Sequence, residues 1–130
     1  MRVFETGATR DEEDSKPSYR GFLSPVVLQR FGKYMLEHQV QADGDLRDPD
    51  NWKKGIPREA YLDSLLRHVM DLWLHHEGHS RLAVEEIEEA LCACLFNVQG
   101  YLHEQLTAPV MTTAVHINSK DELKPSDIHV

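Results

Sequence analysis

An all-α fold is predicted by three features of this sequence. Two long segments carry apolar residues at helical spacing, a glycine breaks the chain tightly between them, and a third, capped segment precedes both. The expected architecture is an antiparallel helical hairpin plus an N-terminal helix, completing a helical bundle by oligomerisation. At 130 residues the chain suits one domain with its own core and is short for two.

Residues 1–21 are polar, charged and rich in small side chains, which predicts an extended arm. In "SPVVLQRFGKYMLEHQ", Ser24 is placed to cap a helix that begins at Pro25, with Val27, Leu28, Phe31, Tyr34 and Met35 on one face. The connection "VQADGDLRDPDNWKKGIP" is dense in Asp, Gly and Pro and longer than ordinary helix links, which favours a functional loop. From Arg58 to Glu77, Tyr61, Leu62, Leu65, Leu66, Val69, Leu72 and Trp73 repeat at helical spacing. Gly78 then reads as the left-handed residue that ends this helix. Ser80 reads as the cap of the next, which runs to about Leu106. Residues 22–107 form the expected helical domain, and residues 108–130 a tail or docking arm.

The net charge of −8 and a pI near 5.4 disfavour polynucleotides and anionic membranes as partners. No apolar run is long enough to cross a bilayer, and "MRVFETGATRDEEDSK" lacks the apolar core of a secretory signal, so a cytoplasmic protein is expected. Cys92 and Cys94 sit two apart on one helix, where their side chains diverge by roughly 200°. They predict neither a disulfide nor a zinc knuckle.

Chemistry concentrates in "VEEIEEALCACLFNV". Projected on a helix, Ile87, Leu91, Cys94, Val98 and Leu102 form the expected core stripe. Glu85, Glu88, Cys92, Gln99 and His103 point to solvent. Glu86 and Glu89 share a flank with Ala90, Ala93, Asn97 and Gly100, where small residues leave room for a pocket. With Ser80 as cap, these glutamates lie beyond the first turn, where the helix dipole has faded. On the preceding helix Ser64, His68, Asp71 and His75 make a polar stripe displaced in the same rotational sense. Pairing about Gly78 sets Asp71 level with Glu86 and His68 level with Glu89. Glu86, Glu89 and Asp71 are therefore expected to converge as ligands of Mg²⁺ or Mn²⁺, with His68 or a carboxylate as proton acceptor. His75, His76 and His79 suit the C-terminal end of a helix dipole; a zinc cluster of these three with His68 is the alternative.

The strings "RVFETGATRD", "KPSYRGFLSP", "DNWKKGIP", "YLDSLLRH" and "EEIEEALCACLFNV" together resemble the dATP/dGTP diphosphohydrolase family of phages and bacteria. That family includes MazZ-like enzymes, within the all-α MazG-type nucleotide pyrophosphohydrolases. The resemblance spans roughly residues 2–106. It implies metal-dependent hydrolysis of dGTP or dATP to the monophosphate and pyrophosphate, in a host cytoplasm if the chain is phage-encoded. Glu86 and Glu89 fit one acidic pair of such enzymes, whereas the facing helix offers Arg67, His68 and Asp71 in "RHVMD".

The matching strings make Arg10, Asn51 and Trp52 candidates for the nucleotide site, with Arg10, Lys16, Lys53, Lys54 and Arg67 as cations for the phosphates. For Lys53 and Lys54 an ordinary solvated loop is the equal alternative, and Trp52 is expected to pack or to stack on a base. Asn97 is open to three roles: reading a base edge, orienting a metal-bound water, or bonding between helices. A catalytically idle helical regulator that binds a nucleotide or a protein is the second reading of the whole chain.

Overall fold

The computed structural model describes residues 1–11 and 15–108, so the expected tail at 108–130 falls, beyond its first residue, outside the described residues. The chain is helical throughout its main body. Strands β1 (Arg2–Val3) and β2 (Thr9–Arg10) pair antiparallel, Arg2 opposite Arg10, and a single helical turn α1 (Tyr19–Phe22) follows. The predicted extended arm is thus partly folded, because Gly7, at φ 86°, closes a tight turn and Ser18 caps α1.

Helix α2 (Pro25–Glu37) starts as the sequence predicts, with Ser24 Oγ accepting the Val27 N–H at 3.2 Å and Pro25 in the first turn. Only its second half packs: Tyr34 is buried and Phe31 and Met35 are half-buried, while Val27 and Leu28 stay open. The long connection is ordered by a bridge between Val40 and Leu46 and by a 3-10 turn at Asn51–Lys54.

Helix α3 (Arg58–His76) ends in a Schellman motif. The Gly78 N–H donates to His75 O at 3.1 Å and the His79 N–H to Leu74 O at 2.7 Å, with Gly78 at φ 84°. Helix α4 (Ile87–Thr107) then returns antiparallel against α3. Its start departs from expectation. Ser80 opens a 3-10 turn, Ser80–Leu82, Ala83 is extended, and Glu86 occupies the cap position of α4. Glu88 and Glu89 therefore lie in the first turn, where the dipole favours negative charge.

The α3/α4 contact is also rotated from the predicted one. Ala90, Ala93, Asn97 and Gly100 are buried, whereas Ile87, Leu91, Val98 and Leu102, expected as core, remain roughly half exposed. Helices approach closest where side chains are smallest, and here Gly100 lets the Tyr61 ring lie directly on the α4 backbone. The large aliphatic side chains consequently splay outward. Cys92, expected in solvent, is buried beneath Tyr34.

Candidate functional site

Polar chemistry gathers where α3 meets the start of α4. Asp71, 7 % exposed, accepts the Val84 N–H at 3.2 Å on Oδ1 and the Glu85 N–H at 3.1 Å on Oδ2. Its carboxylate thus ties down the extended link that leads into α4. His75 reinforces the same link: Nε2–H donates to Glu85 O at 2.6 Å, and Nδ1 is hydrogen-bonded to Ser80 Oγ at 2.8 Å. A carbonyl can only accept, so Nε2 carries a proton, while the Ser80 hydroxyl can meet Nδ1 as donor or as acceptor.

His68 Nδ1 bonds the Glu85 carboxylate. As an ionised carboxylate only accepts, Nδ1 carries a proton, and in the neutral ring it is Nε2 that holds the lone pair. Glu85, assigned by projection to solvent, is half-buried here because the link into α4 turns it inward. On the other flank, Arg30 of α2 donates from Nη2 to Glu89 Oε1 at 2.9 Å and sets Nε 3.5 Å from Glu88 Oε1. Arg30 Nη1 is buried without a partner among the described residues. Glu86 is exposed at the cap and its side chain bonds nothing there.

The expected convergence of Glu86, Glu89 and Asp71 is not what the fold builds. Starting α4 several residues late moves Asp71 to the backbone of Val84 and Glu85 and His68 to the side chain of Glu85. Glu89, meanwhile, turns to Arg30. Among the described residues no group of three or more His, Cys, Asp or Glu side chains is arranged to hold a metal ion. Mg²⁺ and Mn²⁺ need several oxygens at short range, and here Asp71 and Glu89 are already engaged by protein donors while Glu86 points to solvent, so these residues do not fit the ion as one cluster. The histidine alternative for zinc fares no better, since both nitrogens of His75 are occupied.

Asn97 is 4 % exposed and donates from Nδ2 to Ala93 O at 2.7 Å, a bond inside its own helix. Among the described residues its side chain makes no hydrogen bond to the neighbouring helix. Arg10, Lys16 and Arg67 are exposed and join no shared site among the described residues. Lys54 is likewise exposed, and Lys53 Nζ lies 5.6 Å from the Trp52 ring.

Asn51 and Trp52 do enter a shared site. With Phe31 and Met35 of α2 and Phe96 and Gln99 of α4 they line a cleft of about 440 Å³, inside the range of small-molecule pockets. Trp52 is held edge-on to Phe96, centroids 6.1 Å apart, and to His103 at 4.8 Å. Its packing role and its place on the cleft are thus compatible. His38, Gln39 and Arg47 complete the polar rim; His38 Nδ1 bonds Tyr34 O at 2.8 Å and Gln39 Nε2 donates to Arg47 O at 3.0 Å. Phe31, Phe96, Gln99, Arg47 and the Glu85–His68 pair escaped the sequence reading. Projecting one helix at a time does not say which neighbour covers it.

The chain matches no family model, no curated protein and no solved structure.

Proposed function

We propose that this chain is a pyrophosphohydrolase of deoxynucleoside triphosphates, cleaving dGTP or dATP to the monophosphate and pyrophosphate, with Mg²⁺ or Mn²⁺ as the cofactor the family resemblance implies. The observation that carries the reading is the placement of an aromatic cleft and a polar cluster along one helix. Phe96 and Gln99 of α4 face the cleft, and Glu89, seven residues earlier, lies about 10 Å up the same helix at a rise of 1.5 Å per residue. Arg30, which binds Glu89, is next in sequence to Phe31 of the cleft wall. A nucleotide with its base in the cleft extends its phosphates toward this cluster.

His68 is the residue placed to take a proton. Glu85 holds its Nδ1–H, so Nε2 accepts the proton of a water as the water oxygen bonds the α-phosphorus and the bond to pyrophosphate breaks. Glu85 is the positioning residue for that imidazole.

The misfit between the carboxylates and a shared ion favours a second reading, a helical nucleotide-binding regulator without turnover. Incubating the full chain with each canonical deoxynucleoside triphosphate and either metal separates the two. Monophosphate and pyrophosphate from the purine nucleotides support the enzyme, and loss of turnover by about 10²-fold or more in His68→Gln supports the proton role. Absence of both products with every nucleotide leaves the regulator.

A further inference from the structure

Residues 85–89 hold four glutamates, and the fold answers part of that charge from outside α4. We infer that Arg30 of α2 stands in for a divalent cation on the first turn of α4, so that Mg²⁺ or Mn²⁺ reaches the Glu89 carboxylate only by displacing the guanidinium. A metal is expected from the family resemblance and these carboxylates do not fit one; Arg30 supplies a physical reason for the misfit at Glu89. Its hold on Glu89 does not depend on whether the chain turns over a nucleotide.

Arg30 Nη2 donates to Glu89 Oε1 at 2.9 Å while Nε lies 3.5 Å from Glu88 Oε1, so one planar head spans two neighbouring carboxylates. The bond to Glu89 is the sheltered one: both side chains are 27 % exposed, against 70 % for Glu88. Arg30 Nη1 is buried as well, with no partner among the described residues, so the head is enclosed rather than held in open solvent. A Mg²⁺ ion gives up its waters reluctantly and needs room beside the carboxylate it binds. Here that room is taken by a group that never loses its charge, and a second cation at contact range is repelled.

Packing, and not the carboxylates alone, fixes the position of Arg30. One turn further along α2, Tyr34 is buried against Cys92, which lies one turn beyond Glu88 on α4. A polar layer and an apolar layer thus follow each other up a single α2/α4 contact. Drawing the guanidinium off Glu89 works against the seating of α2, and an incoming metal has to offset that as well as the repulsion.

The test titrates the full chain with Mn²⁺ alone, reading affinity by calorimetry and, separately, the melting temperature. Wild type and Glu89→Gln are expected to show the same weak, millimolar binding, because Arg30 already occupies Glu89. Arg30→Met, which keeps an apolar stem and removes the charge, is expected to bind about tenfold tighter or more and to melt higher as Mn²⁺ is added. Adding Glu89→Gln to Arg30→Met is expected to cancel both gains, and Arg30→Lys, which keeps the charge, to stay near wild type.

Micromolar binding by wild type that Glu89→Gln abolishes overturns the inference, as does a folded Arg30→Met that binds Mn²⁺ no tighter than wild type. If Arg30→Met does not fold, the comparison of wild type with Glu89→Gln decides by itself: equal affinities support the stand-in cation and a loss in Glu89→Gln overturns it. No nucleotide enters these measurements, so their outcome is separate from that of the hydrolysis assay.

Discussion

Two positions on the α3/α4 contact have outsized consequences. A Cβ at Gly100 would overlap Cε1 and Cζ of Tyr61, a ring only 2 % exposed and unable to move aside. Gly100→Ala is expected to destabilise the fold by about 1–3 kcal/mol despite alanine's better helix propensity, and urea denaturation measures it. The Tyr61 hydroxyl is buried without a partner among the described residues, and burial pushes its pKa up. Tyr61→Phe removes an unsatisfied group and is expected to leave stability equal or higher, which a fall of more than 1 kcal/mol would contradict. Asp71 is the opposite case. Asp71→Ala strands two backbone N–H groups at the entry to α4 and is expected to cost about 1.5–3 kcal/mol, whereas Glu86→Gln, at an exposed cap, is expected to leave the melting temperature almost unmoved.

At the scale of elements, the helix ends marked by local chemistry were legible: Ser24 with Pro25, and Gly78 after α3. The start of α4 was not, because Ser80 opens a 3-10 turn rather than a helix, and the displaced start undid the predicted carboxylate cluster. The glutamates themselves held the signal, since acidic side chains crowd the first turn of helices. The contact between α2 and α4 was beyond a projection of either alone, and it creates a pH response. Burial first, then the nearby Glu85 and Glu89, push the Tyr34 hydroxyl from 10.0 up to about 12. The folded chain therefore holds this proton more tightly than the unfolded one. The stabilisation is fully present below pH 10 and is lost as pH rises toward 12, on the order of 2 kcal/mol. Stability measured across that window is expected to fall less steeply in Tyr34→Phe, and an identical slope would exclude Tyr34 as its source.

For the whole molecule, the rotated contact places polar groups inside the hairpin and apolar ones outside. Leu62, Leu66 and Trp73 of α3 and Leu91, Leu95 and Val98 of α4 are between 37 and 59 % exposed. Both stripes are displaced from the α3/α4 contact in the same rotational sense. They therefore lie on the outward surfaces of the two helices. Exposed apolar stripes of this extent are unusual on a monomer. We expect a second copy of the chain to cover them, pairing the same face by twofold symmetry into a four-helix core. Covering the exposed half of each side chain contributes about 1 kcal/mol, so the twelve in a symmetric pair offer about 12 kcal/mol against an association cost of roughly 4–15. The balance permits a dimer at micromolar concentration. Sedimentation is expected to find a dimer or a larger even assembly, and Leu66→Glu with Leu95→Glu to dissolve it by placing charges in the contact. A monomer at tens of micromolar would show that the outward stripes are not a self-contact, and the apolar face would then need a different partner.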